Sequence, residues 1–353
     1  MSLSWTRGTH EPPRRSRRRV MAGVRSRPSV TMPRATRRDF LIAAAGAIGG
    51  GSLRVQGLAP RPAADHHQHL FGPLTQSLAP TTPRLNADGL VRLLDAAGIG
   101  RAVVLSLGYQ FGNPNRPPVE DEYAKVRAEN DWTAQQVASH RDRLIGFCGV
   151  NPLKDYAEEE IRRCAGEPSL RTGLKLHFGN SDVQLDDPEH VVKVKAVFAR
   201  ANAAGMAIAV HLHGSVNRKR PHGARQARTF LEQLLPAALD VTVQIAHLTS
   251  AGGWESEVDE AMGVFADAIR RSDPRTRRLY FDISGVGLPE WQKHAPAVAT
   301  CIRQVGTDRV LFGSDGTADF MRPVEAWEAC RQLPLTVMET AAVAATVAPY
   351  LRA

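Results

Sequence analysis

The feature that most constrains this chain is an alternation that begins near residue 62. Short runs rich in β-branched and aliphatic residues take turns with longer Ala/Leu-rich runs of helical period, the pattern of a parallel sheet with crossover helices. Eight strands are expected, at 63–69, 101–107, 143–150, 172–177, 207–212, 241–247, 278–284 and 309–315. Each gap holds one helix and two loops, as at 87–98, 189–204 and 256–271. Eight β/α units in this order and length predict an α/β fold, a (β/α)8 TIM barrel, as one domain over 63–353. An open doubly wound sheet is the competing architecture, and no Gly-rich phosphate fingerprint follows the first strand to support it. There is no solenoid repeat.

Charge sets the first 62 residues apart. Of 45 basic and 36 acidic residues, eleven arginines and two acids fall within residues 1–40, which leaves 34 of each sign for the remainder. The body is therefore neutral, and a nucleic-acid partner is not expected. Thr36-Arg37-Arg38-Asp39-Phe40-Leu41, followed by an Ala/Gly-rich apolar run, resembles a twin-arginine export signal. The resemblance implies a partner in the twin-arginine machinery and a periplasmic or secreted product. The apolar stretch Phe40–Ile48 is far shorter than the ~20 residues a bilayer span needs, so removal rather than membrane anchoring is expected. Cleavage would fall between Gly50 and Ala64, and Met32 is a candidate start. Four scattered cysteines without a C-x-x-C pair read as small buried hydrophobes rather than a disulfide framework.

In a barrel the C-terminal strand ends face the active site, and polar residues collect there. The first strand ends in Asp65-His66-His67-Gln68-His69, the fifth in Val210-His211-Leu212-His213, the sixth in Ala246-His247, and the eighth in Gly313-Ser314-Asp315. Lys175 and His177 lie on the fourth. Side chains alternate along a strand, so His67 and His69 share one face, and so do His211 with His213 and Lys175 with His177. Two imidazoles on one strand face, a third from the fifth strand and the carboxylate of Asp315 would make a nitrogen-rich site. With a position left open for water, that is the pattern of catalytic zinc; manganese, iron and nickel fit by ligand type.

With these residues in place the chain resembles the metal-dependent amidohydrolase superfamily, and in particular its amidohydrolase-related branch, which also contains decarboxylases. The D-x-H-x-H of Asp65 to His69, His211, His247 and the G-S-D ending at Asp315 carry the likeness over about residues 62–350. The resemblance implies a metallo-dependent hydrolase barrel in which His67, His69, His211 and Asp315 bind one divalent metal. It implies metal-assisted hydrolysis of a small lactone, ester or amide, with Asp315 as general base and acid and His247 polarising the carbonyl. Lys175 falls where some relatives carry a carboxylated lysine bridging two metals, but no further second-metal signature accompanies it. The first alternative is a non-oxidative decarboxylase of an aromatic or unsaturated acid; the second is an exported, non-catalytic metal-binding protein.

Weaker candidates for substrate contact are Lys175, His177, His213 and Trp254, the last with core packing as its rival. His66 points off the metal face and is expected to pack outward. Asp282, inside the seventh strand, is expected to be a structural hydrogen-bond acceptor. The basic loop holding Arg218, Lys219, Arg220, His222, Arg225 and Arg228 is compatible with an anionic substrate, although a solvated loop explains it equally well. Loops 70–86 and 108–120 are further candidates. No G-x-S-x-G is present, and no cysteine stands at a strand end beside a histidine, so nucleophilic catalysis is not expected.

Overall fold

The computed structural model describes residues 60–214 and 220–352. The twin-arginine-like segment, the start and most of the expected cleavage region lie outside the described residues, as do Arg218 and Lys219. Eight parallel strands follow one another around a single sheet: β1 (Ala64–Gln68), β2 (Arg101–Leu105), β3 (Leu144–Gly149), β4 (Gly173–His177), β5 (Ala207–His211), β6 (Val243–Ile245), β7 (Leu279–Asp282) and β8 (Val310–Leu311). Every adjacent pair from β1·β2 to β7·β8 is parallel and in sequence order. The seam between first and last strands is bridged just beyond β8, where His66 N–H donates to Phe312 O and Asp315 N–H to His67 O, both at 2.8 Å. This is the (β/α)8 barrel that the alternation predicts.

The outer helices are α1 (Ala87–Ala97), α2 (Glu122–Ala138), α3 (Ala157–Ala165), α4 (Pro188–Ala203), α5 (Ala224–Thr229), α6 (Ser256–Arg270), α7 (Ala295–Val305), α8 (Pro323–Arg331) and α9 (Val337–Ala345). Their ends follow local chemistry. Asn86 accepts from Gly89 N–H at the start of α1, and Gly98 closes that helix at φ +68°, where a side chain would strain the backbone. Thr336 and Glu339 form a reciprocal cap at α9. Among the described residues no helix is long and apolar enough to cross a membrane. All four cysteines are buried and free.

Two apolar layers result from strand alternation. Outward side chains such as Val104, Cys148, Leu174, Ile208, Val210 and Ile245 join the helices in the large core. Inward ones, Ala64, Val103, Leu105, Phe147, Ala207 and Ala209, fill the floor of the barrel, which the C-terminal turn plugs with Leu351 and Tyr350. Above that floor the interior becomes polar, with Lys175, Gln244 and Asp282 almost wholly buried. His66 does not pack outward against a helix. It is fully buried at the seam, with one ring nitrogen on Phe312 O and the other accepting from Ala348 N–H, and burial pushes its pKa down to about 4.

Candidate functional site

The site is assembled where β1 meets β8. Asp65, wholly buried, accepts from Ser314 Oγ (2.6 Å), Ser314 N–H (3.1 Å), His67 N–H (3.1 Å) and Gln68 Nε2 (3.0 Å). The D-x-H-x-H and G-S-D segments are thus clasped by a carboxylate whose own pKa burial pushes up. Gly313 is required here, because a Cβ would stand 2.7 Å from His67 Cβ. The clasp leaves Asp315 in the left-handed region, at φ +50°.

Three imidazoles turn the same nitrogen toward Asp315. His67 Nε2 lies 3.7 Å and His69 Nε2 3.5 Å from Asp315 Oδ1, and His247 Nε2 lies 3.8 Å from Oδ2. In each ring the other nitrogen faces an acceptor: His67 Nδ1 meets Asp282 Oδ2 at 3.0 Å, His69 Nδ1 meets Leu105 O at 2.6 Å, and His247 Nδ1 meets Ser284 O at 3.0 Å. A carboxylate and two backbone carbonyls can only accept, so each Nδ1 carries the hydrogen and each Nε2 presents a lone pair. Lys175 Nζ, 3.1 Å from His67 Nε2, demands the same tautomer of that ring.

Separations of 3.5–3.8 Å are too long for hydrogen bonds. They suit donors that share an ion, since two ligands at ~2.1 Å from one tetrahedral centre stand about 3.4 Å apart. Among the described residues, the groups that bring three candidate donor atoms within 4.8 Å of one another are His67–His69–Asp315 and His67–His247–Asp282. The donor chemistry therefore fits a divalent cation, and Asp315, with 33% of its side chain exposed, opens the site to solvent.

Electrostatics agree with that arrangement. Burial pushes His69 down to about 3 and lowers His247 as well. Burial opposes ionisation of Asp315, but His67, His69 and His247 pull harder, so its pKa is held below the ordinary carboxylate value. Burial lowers Lys175 to about 8, against the raising effect of Asp315 and Asp282.

The remaining histidines of the mouth form a wall of rings. His211 stacks on His177 at 3.9 Å between centroids and meets His247 edge-on at 5.1 Å, whereas it belongs to neither three-donor group. Desolvation drives the pKa of both His177 and His211 well down. His177 also caps a short turn, its Nδ1 accepting from Asn180 N–H, so its Nε2 carries the hydrogen. His213 is turned aside, against Gly214 O and the ring of His222. Trp254 lies in the core, its Nε1 donating to Asp259 and its ring edge-on to Trp291. Of the basic loop, Arg220 forms a two-pronged pair with Asp182, and Arg225 reaches Asp186.

Sequence reading passed over Tyr109, in the turn after β2. Its ring lies 5.3 Å from that of His177, and burial, followed by the charge of Asp315, holds its hydroxyl far above the ordinary phenol range. Nothing in its local sequence distinguishes it from a loop tyrosine. Ser284 and Gln244 were missed for the same reason, since their roles depend on Asp282 between them.

A parallel barrel that gathers imidazoles and a carboxylate at the C-terminal ends of its strands has the architecture of the metallo-dependent hydrolase type. The chain belongs to the amidohydrolase family, whose model matches residues 64–346. Members of this superfamily include hydrolases and decarboxylases, and this protein is an enzyme of that group. Among solved structures the chain is similar to 5-carboxyvanillate decarboxylase from Sphingomonas paucimobilis (18% identity, TM-score 0.54, 80% of this chain and 96% of that one). It is similar to a probable 2-pyrone-4,6-dicarboxylic acid hydrolase from Acinetobacter baumannii (15%, 0.54, 80% and 95%). A third is an amidohydrolase from Burkholderia multivorans with bound zinc (15%, 0.52, 80% and 95%). At these identities the likeness shows the fold. No curated protein matches the chain.

Proposed function

We propose that the protein is a metal-dependent hydrolase of a small anionic lactone, ester or amide, with His67, His69 and Asp315 as ligands of one divalent ion. The observation that carries this reading is the shared tautomer: three Nε2 lone pairs directed at one carboxylate, each fixed from behind by an acceptor. The zinc of the Burkholderia relative makes zinc the first ion to test. When bound, such an ion supplies Lewis acidity and a water that ionises near neutral pH.

The chain's own groups then divide the proton work. Asp315, ionised and partly open to solvent, accepts the proton of the attacking water. His247 Nε2 faces the other oxygen of the same carboxylate with a lone pair, so it can take that proton from Asp315; its imidazolium then stabilises the oxyanion and returns the proton to the leaving group as the tetrahedral species collapses. His211 is the ligand that the sequence resemblance leads one to expect. Its ring contacts His247 and His177, so in this reading it borders the substrate together with His177 and Tyr109.

A second reading is decarboxylation of an aromatic or unsaturated acid. It is favoured by Lys175, a buried amine inside the mouth that fits a substrate carboxylate, and by the activity of the Sphingomonas relative. The test is metal analysis of the purified full chain, with a panel of lactones, esters, amides and aromatic carboxylates assayed for both hydrolysis and carbon dioxide. Hydrolysis without carbon dioxide supports the first reading; carbon dioxide with no hydrolysis replaces it with the second. Full turnover by Asp315→Asn would refute the proton role. We also propose export through the twin-arginine route, which replacing Arg37 and Arg38 by lysine would block in a fractionation assay.

A further inference from the structure

Beneath the imidazoles lies a carboxylate that no proton or ligand role yet uses. Asp282 is wholly buried at the end of β7, and both of its oxygens are occupied. Oδ2 accepts from His67 Nδ1 at 3.0 Å and from Gln244 Nε2 at 2.6 Å. Oδ1 accepts from His247 N–H at 3.0 Å, from Ser284 N–H at 3.1 Å and from the Ser284 hydroxyl. Five donors fill the capacity of one carboxylate, which has about four lone-pair sites. Although Asp282 lies in one of the two three-donor groups, no lone pair is left for a cation. The contacts continue downward: Tyr350, in the C-terminal turn, donates to Gln244 Oε1, whose amide in turn donates to Asp282.

We infer that Asp282 is a positioning residue rather than a metal ligand, and that it sets the tautomer of His67 and the backbone of His247 at once. The inference rests on the proposed reading of these two histidines as site residues. His247 needs such support, because it opens a run of three non-glycine residues in the left-handed region: His247, Leu248 and Thr249, at φ +55°, +46° and +69°. The Asp282 bond to His247 N–H holds the first of them, while its bond to His67 Nδ1 makes that ring's Nε2 the lone-pair nitrogen, which Lys175 Nζ meets at 3.1 Å. Gln244 and Tyr350 hold Asp282 in turn, so the site is braced by a hydrogen-bond column from the barrel floor.

Asp282→Asn gives a sharp test. The two backbone N–H donors beside Oδ1 cannot turn round, so the new amide must place its oxygen there and its NH2 toward His67 Nδ1. His67 is then forced to accept at Nδ1 and carry its hydrogen on Nε2, where the ion would bind, and Lys175 Nζ must swing away or give up a proton to accept from it. The experiment is long-range 1H–15N NMR of the imidazoles in the metal-free full chain, paired with a titration by zinc alone. The expected result is His67 as the Nδ1–H tautomer in the parent and Nε2–H in Asp282→Asn. His247 should keep Nδ1–H in both, and zinc affinity should fall at least tenfold. Unchanged His67 tautomer and zinc affinity within twofold would overturn the inference.

If Asp282→Asn does not fold, the parent decides. Loss of the His67 Nδ1–H signal on adding zinc would mean ligation through the Asp282 side and would also overturn it. The tautomers are read without metal or substrate, so a parent that binds no zinc would sink the proposed function and leave this inference standing.

Discussion

Glu129 offers the most direct test of the energetics. It lies on the inner face of α2 near Val126 and Thr133, 1% exposed, and among the described residues neither carboxylate oxygen has a hydrogen-bond partner. Desolvation pushes its pKa from 4.5 up to about 8. The folded state therefore holds a proton that the unfolded chain releases above pH 4.5. Stability contributed by this group is complete below that pH, falls as pH rises, and levels off beyond about 8. At 1.36 kcal/mol per pKa unit the whole penalty is about 5 kcal/mol, of which about 3 kcal/mol is already present at pH 7. Glu129→Gln keeps the shape and the unpaired polarity but cannot ionise. Its unfolding free energy should match the parent near pH 4 and exceed it by about 3 kcal/mol at pH 7, a rise in Tm on the order of 6 °C or more. Urea unfolding of both proteins at each pH, taken as a difference, cancels every other titrating group. A difference that is flat between pH 4 and 8, or that shrinks as pH rises, refutes the reasoning.

Other outcomes follow from the same geometry. Asp315→Asn should lower turnover by about 10²-fold or more with the circular dichroism spectrum unchanged, as expected for a proton acceptor at the site. Removing metal with a chelator should abolish activity, and adding zinc should restore it; full activity in metal-free protein would exclude the proposed mechanism. Gly313→Ala brings a Cβ to 2.7 Å from His67 Cβ, so it should cost about 1–3 kcal/mol by urea unfolding and also weaken zinc binding. Thr336→Ala removes a cap remote from the mouth, and should cost about 1 kcal/mol with activity intact.

The fold was legible because a barrel repeats one local pattern eight times, and each repeat is short enough to read from periodicity alone. Strand ends were less sharp. β6 stops at Ile245 and β8 at Leu311, earlier than the apolar runs suggest, and beyond them His247 and Asp315 lie in the left-handed region. Alternation placed His67 and His69 together, and the structure brings Asp315 to both. It could not rank His211 against His247 beside that carboxylate, because the choice depends on a backbone turn after β6 rather than on the strand. Of the column beneath the site only Asp282 was legible, as a structural hydrogen-bond acceptor; Tyr350 and Gln244 lie far from it in sequence, and each alone reads as an ordinary polar residue.

The left-handed residues show what that column accomplishes. Non-glycine residues in this region each cost on the order of 1 kcal/mol or more, and both His247 and Asp315 adopt it. Each is held by a buried acid on a neighbouring strand: Asp282 binds the His247 N–H, and Asp65 binds Ser314, the residue before Asp315. In both cases the acid also binds His67, through its ring or its backbone N–H. His67 is therefore the point at which both supports meet. Strain in the two turns and the aim of this ring are set by the same pair of carboxylates, so loss of either acid should disturb the donors together rather than singly.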